Sequence, residues 1–173
     1  MDKPALRYYF RNFLRKNKDK INSEITKKLI INKLNILIDE LKVTTIGVYY
    51  PLLLEINILE IIKLRPELTF FLPKIVKNEI SYGLYTRNTP LILNRFNIYE
   101  PKENSESQPE LIVIPALAFN MDNHRLGQGF GFFDRYINND KNLITIGVCL
   151  KEQLIDNLPI MPHDRKLNFI VTD

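Results

Sequence analysis

The chain is short of several things, and each shortage excludes something. It has one cysteine, Cys149, so no internal disulfide can form, and a reducing, cytoplasmic compartment is the expectation. Its longest purely apolar run is Leu111–Phe119, which contains Pro115. A membrane-spanning helix needs roughly 20 such residues. The N-terminal stretch MDKPALRYYFRNFLRK is basic but has no apolar h-region, which argues against a secretory signal. There is no zinc-finger spacing, no aromatic RNA-binding signature and no internal repeat. His124 and His163 have no partner cluster at metal-ligand spacing and read as loop residues.

What remains is an ordinary globular composition. Hydrophobic residues make up 45% and charged residues 25% of 173, enough for one domain over 1–173 with a proper core. The net charge of +4 is unevenly spread. Residues 1–33 hold ten Lys or Arg against three acids, so that segment is +7 and the remainder −3. On charge alone two readings stay open. The basic start is either a solvated helix face or a binding surface for a nucleic acid, a membrane surface or a small polyanion such as a nucleotide.

Apolar residues recur at helical spacing over 4–17 and 22–41, with Asn22 or Ser23 as a cap for the second helix. The period then changes. Residues 45–50 are β-rich and stop at Pro51, residues 55–64 return to helix, and 69–72 form a short strand ending at Pro73. Residues 79–100 alternate loosely, with Gly83 and Pro90 as punctuation, and predict short antiparallel strands. After a polar loop at 102–109 come a buried strand at 111–114, a glycine-rich segment, a helix at 132–138, and strands at 143–150 and 167–171. Continuous apolar strands alternating with helices predict an α/β fold whose mostly parallel sheet is covered on both faces.

The chemistry concentrates in LIVIPALAFNMDNHRLGQGFGFFDR, Leu111–Arg135. An apolar strand runs into glycines at every second position, Gly127, Gly129 and Gly131, and a helix follows at once. Glycines let successive peptide N–H groups turn toward one point, and the helix N-terminus behind them adds partial positive charge. That combination suits a phosphate, and Arg125 at its mouth adds a permanently charged fork. The spacing is neither a Walker A loop nor GxGxxG, so a tight turn without a ligand stays open on spacing alone.

These residues carry a family resemblance. Pro115, Leu117, Ala118, Phe119, Arg125, Leu126, Gly127, Gly129, Gly131, Asp134 and Arg135 stand in register with the signature of 5-formyltetrahydrofolate cyclo-ligases. Lys3 with Leu6-Arg7, Tyr50-Pro51, Glu55-Ile56-Asn57, Phe71-Leu72-Pro73, Ile98–Pro101, His163-Asp164 and Phe169–Thr172 follow in family order, so the resemblance spans nearly the whole chain. It implies a single three-layer, Rossmann-like α/β/α domain. It also implies an enzyme that uses ATP and Mg²⁺ to convert 5-formyltetrahydrofolate to 5,10-methenyltetrahydrofolate, acting as a monomer with no nucleic-acid partner.

By the same resemblance, Lys3, Arg7 and the segment Arg125, Leu126, Gly127, Gln128, Gly129, Phe130, Gly131, Phe132, Phe133 hold ATP. Tyr50, Glu55, Gln128 and Phe132 meet the folate. Glu55 and Arg125 are catalytic, and Asp134 and Asp164 are the Mg²⁺ ligands. Read from the residues alone, Glu55 is equally a capping acid, Asp134 a first-turn acid and Asp164 a turn residue. Asn120, Asn123, Gln128, Phe130 and the Phe132-Phe133 pair depart from the family's usual residues. The two phenylalanines keep the bulk of a Tyr-Tyr pair but lose its hydroxyls. The rival reading is a catalytically weakened nucleotide- or RNA-binding module on the same scaffold.

Overall fold

The computed structural model describes residues 1–173. The N-terminal periodicity becomes α1 (Lys3–Lys16), α2 (Lys18–Asn22) and α3 (Glu24–Leu41). The chain then runs through β1 (Thr45–Gly47), α4 (Ile61–Leu64), β2 (Thr69–Val76), β3 (Glu79–Leu84), β4 (Leu91–Leu93) and β5 (Tyr99–Pro101). Next come β6 (Leu111–Pro115), β7 (Ala118–Asn120), β8 (Arg125–Leu126) and α5 (Phe132–Asn139). β9 (Ile144–Cys149), β10 (Leu154–Ile155) and β11 (Phe169–Thr172) complete it.

The helix starts have visible causes. Asp2 accepts the Ala5 N–H, and Pro4 occupies the first turn of α1, where its missing donor costs nothing. Ser23 accepts the Thr26 N–H at the start of α3. The stripe Leu6, Phe10, Leu14 of α1 and the residues Ile30, Ile31, Leu34, Ile38 of α3 are buried. Each such side chain contributes about 1.5–3 kcal/mol relative to exposure.

The main sheet has the order β11-β9-β6-β1-β2-β3, parallel throughout except for the β2–β3 pair. Strand alternation separates its faces. Leu111 and Val113 join a core cluster with the residues of α1 and α3, whereas Ile112 and Ile114 join a second cluster against which Phe133, Tyr136 and Ile137 of α5 pack. Helices on both faces make the expected three-layer α/β/α arrangement.

The chain goes from β1 outward through β2 and β3, then returns to β1's other side and continues through β6, β9 and β11. The strand order therefore reverses between β1 and β6. Ligand sites in such folds lie outside the carboxyl ends of the strands at that reversal. The segments leaving β1 and β6 there carry Tyr50 and Glu55 on one side and the glycine-rich stretch on the other.

Three expectations need correction. The helix expected over 55–64 is only Ile61–Leu64. Ile58 and Ile61 stand at helical spacing, but Ile56, two residues before Ile58, is buried as well, which one helix face would not allow, and the segment before Ile61 is irregular. β2 runs through Pro73 to Val76, because β1 stops pairing at Phe71 and the proline leaves no ladder bond unmade there. The small sheet β10-β7-β8 was not foreseen, since strands of two or three residues leave no periodicity to read.

Part of the basic N-terminus has a structural use. Lys20 pairs with Glu152 at 2.7 Å and with Asp173 at 2.9 Å, tying α2 to the C-terminus. Cys149 is buried in β9, and burial pushes its thiol up to about 12, so it is unreactive.

Candidate active site

The glycine-rich loop is built at the end of a hairpin. β7 and β8 pair antiparallel, and the turn between them is closed by Asn120, whose side-chain oxygen accepts the His124 N–H at 2.8 Å. Asn123 lies at φ 64°. Asparagine tolerates that left-handed conformation better than other side chains. Gly129 at φ 111° and Gly131 at φ 69° follow, and Gly131 caps α5.

Hydrogen bonding along this loop is one-sided. The carbonyl of Gly127 accepts from Arg7 Nε at 3.0 Å, that of Gln128 from Arg11 Nη2 at 3.4 Å, and that of Phe130 from Arg135 Nη1 at 3.0 Å. The peptide N–H groups from Gly127 through Asp134 donate to no acceptor in the protein. Gln128, Gly129 and Phe130 are exposed and the other residues of the run are half-buried, so the run lies at the protein surface. A run of free amides in a turn and first helical turn is an anion-binding concavity.

Arg125 is not at the mouth of this loop, as its position in the sequence suggested. It sits in β8 with 7% exposure, because the hairpin folds it inward. It donates to Asp134 Oδ1 at 2.7 Å and to the Arg165 carbonyl at 3.3 Å. Burial pulls its pKa down, and the charges of both Asp134 and Asp164 push the other way. Those two carboxylates are thus gathered around one guanidinium. Asp134 also accepts the Arg165 N–H at 3.2 Å. Asp164 pairs with Lys3 and accepts the Met161 N–H at 2.6 Å. Burial raises the Asp164 pKa, but its hydrogen bonds from Lys3 and Met161 outweigh this and hold it below the usual range.

No trio of acidic, His or Cys side chains converges to hold an ion by protein alone. The donor set does fit Mg²⁺, which takes one or two carboxylates and completes its shell with water and phosphate oxygens.

Glu55 lies in a turn rather than at a helix start. Its own N–H donates to the Leu52 carbonyl, and the Leu52 N–H returns a bond to Glu55 Oε2 at 2.9 Å. The Tyr49 hydroxyl, buried, fixes the next residue through the Ile56 carbonyl at 2.5 Å. Burial raises the Glu55 carboxyl to about 7, against the lowering effect of the Leu52 amide. Such a group can hold or release a proton near neutral pH.

Direct contacts join Lys3, Arg7, the 125–131 stretch, Asp134 and Asp164. Tyr50 and Glu55 make no hydrogen bond to that group; the β4–β5 hairpin links the two halves. Phe96, at the tip of the β4–β5 hairpin, packs on Phe130 (5.0 Å between centroids) and Phe132 (5.5 Å), while Tyr99 of β5 packs on Tyr50 (5.0 Å). Phe133 instead turns into the core beneath α5. Arg11, Phe96 and Asn78 were also missed. No local spacing marks them, although Arg11 continues the Lys3–Arg7 stripe four residues on.

The fold and this loop define a class: a doubly wound α/β protein with a phosphate-type cradle at its strand-order reversal, flanked by a carboxylate pair. The sequence model of the 5-formyltetrahydrofolate cyclo-ligase family matches residues 1–173, and the chain belongs to that family. It is 32% identical over 122 residues to a probable 5-formyltetrahydrofolate cyclo-ligase of Schizosaccharomyces pombe, covering 59% of this chain and 60% of that protein. A Mycoplasma pneumoniae protein named 5-formyltetrahydrofolate cyclo-ligase is 29% identical over 100% of this chain and 99% of its own. Among solved structures, that of Aquifex aeolicus 5,10-methenyltetrahydrofolate synthetase superposes with a TM-score of 0.81 at 28% identity, over 99% of this chain and 90% of that one. No helix is long and apolar enough to cross a membrane.

Proposed function

We propose that this protein closes 5-formyltetrahydrofolate to 5,10-methenyltetrahydrofolate at the expense of ATP, releasing ADP and phosphate. The observation that carries this reading is the unbroken run of unpartnered peptide N–H groups from Gly127 to Asp134. That run suits a polyphosphate, and its companion, an enclosed carboxylate near neutral pKa, suits a proton transfer.

The formyl group is amide-like, and its oxygen is a poor leaving group. Transfer of the γ-phosphoryl group to that oxygen makes an imidate phosphate. The folate's N10 then forms a bond to the activated carbon, the C–O bond breaks, phosphate leaves and N10 gives up its proton. Little covalent work falls to the protein, so catalysis is positioning and charge stabilisation. The 127–134 amides, with Lys3 and Arg7, hold the phosphates. Phe132 and Tyr50 flank the folate, and the Glu55 carboxylate accepts the N10 proton. Arg125 orients Asp134 rather than touching phosphate. Asp134 and Asp164 would supply oxygens to a Mg²⁺ ion, whose chemistry there would be to neutralise phosphate charge. Catalysis by one chain needs no partner, and Cys149 fits a reducing cytoplasm.

The test is growth of methenyl-product absorbance in a mixture of protein, ATP, Mg²⁺ and 5-formyltetrahydrofolate. Absorbance that depends on both ATP and protein supports the reading. No product at high protein concentration, alongside tight RNA binding, would favour the binding-module alternative.

A further inference from the structure

Three arginines grip the carbonyls of the glycine loop, and Arg7 uses only its Nε for this, which leaves its terminal nitrogens for phosphate. Arg7 and Arg11 come from α1 and Arg135 from α5, so the loop is held from two opposite elements. Arg11 also donates to Gln128 Oε1 at 3.0 Å. Arg135 bridges from the Phe130 carbonyl to the Asn78 carbonyl in the β2–β3 turn, at 3.1 Å, and lies over the Phe132 ring at 5.2 Å. A trans peptide is planar, and its C=O and N–H point in opposite directions. Holding the Gln128 carbonyl therefore aims the Gly129 N–H away from Arg11. Holding the Phe130 carbonyl aims the Gly131 N–H away from Arg135. Both N–H groups lack an intramolecular acceptor, and both glycines sit at positive φ, where alternative peptide orientations are accessible.

We propose that Arg11 and Arg135 are positioning residues that set the peptide planes of the glycine loop, so that the Gly129 and Gly131 N–H groups face the bound phosphates. The inference rests on the phosphate-binding reading of this loop. Neither arginine touches the nucleotide; each acts through the carbonyl it holds. Arg135 divides its fork between the two carbonyls, Nη1 to Phe130 and Nη2 to Asn78.

Selective ¹⁵N-glycine labelling gives a direct readout, since the chain has six glycines. ATP added to the wild type should move the Gly129 and Gly131 amide resonances. Arg11→Met should abolish the Gly129 response and keep that of Gly131, and Arg135→Met should do the reverse. Each should weaken ATP binding about tenfold, the scale of one hydrogen bond to a charged group. Unmoved Gly47 and Gly147 resonances, from β1 and β9, report an intact sheet. If the wild-type glycines respond and the variants respond equally, the positioning role is wrong while the phosphate loop stands. If the wild-type glycines ignore ATP, the loop reading fails and this inference with it.

Discussion

The two halves of the site solve opposite problems. The glycine loop is exposed, rich in free donors, and shaped from outside by arginines on neighbouring elements. The Glu55 turn is half-buried and closed on itself, with Leu52 answering both its N–H and its carboxylate. A polyanion is best met by many oriented dipoles that lose little solvation when it arrives. A proton is best handled by one group whose solvation has already been removed. The β4–β5 hairpin touches both halves through Phe96 and Tyr99, so the division of labour is built into one assembly.

The sharpest break in that comparison is Glu55→Gln. The account expects kcat to fall at least 100-fold, the lower end for a lost acid–base group, with ATP affinity unchanged within a few-fold by calorimetry. A large loss of ATP binding would mean that the two halves are not separate.

Stability offers the second contrast. Arg125→Met removes the partner of Asp134 inside the protein, where the arginine side chain is 5% exposed. Breaking such a pair costs about 2–4 kcal/mol when one partner keeps some solvent. That corresponds to roughly 5–15 °C in Tm, readable by calorimetry. The same loss from Arg135→Met, which is exposed, would contradict the assignment of a structural pair to one arginine and a loop-shaping role to the other.

The pH dependence comes next in size. The Glu55 carboxyl is raised from 4.5 to about 7 in the folded protein. Between those values the folded state holds a proton that the unfolded state has released, so stability falls as pH rises through that window. The difference is about 1–3 kcal/mol by pH 8, and Glu55→Gln should flatten it in denaturant titrations across pH. In turnover the sign reverses. On the proposed mechanism the carboxylate is ionised when it takes the N10 proton, so kcat should climb toward a plateau above pH 7. A falling limb there would make Glu55 an acid instead. The smallest effect is expected at Phe132→Tyr, which returns one hydroxyl beside the loop and should lower the KM for ATP or folate a few-fold. No change in either would leave that hydroxyl without a role.

Much of this architecture was legible because local pattern and tertiary burial agree. Leu6, Phe10 and Leu14, and the uninterrupted Leu111–Ile114, bury as their periods require. Glu55 was expected on a helix because Ile58 and Ile61 behind it stand at helical spacing, whereas the helix begins only at Ile61 and the segment before it buries Ile56 and Ile58 irregularly. Arg125 was expected at the mouth because it adjoins the glycines. Only the pairing of β7 with β8 shows that it is folded inward. The grip of Arg11 and Arg135 and the bracing by Phe96 join residues distant in the chain, so no local signal carries them. The glycine loop itself was legible from spacing and resemblance together, but the direction of its peptides was not.

The central claim is that phosphate held on residues 127–134 is handed to the formyl oxygen. The most direct test is turnover of 5-formyltetrahydrofolate carrying ¹⁸O in its formyl group, followed by mass analysis of the phosphate released. The account predicts that the label appears in that phosphate. Unlabelled phosphate, with the ¹⁸O recovered in water or formate, would contradict it.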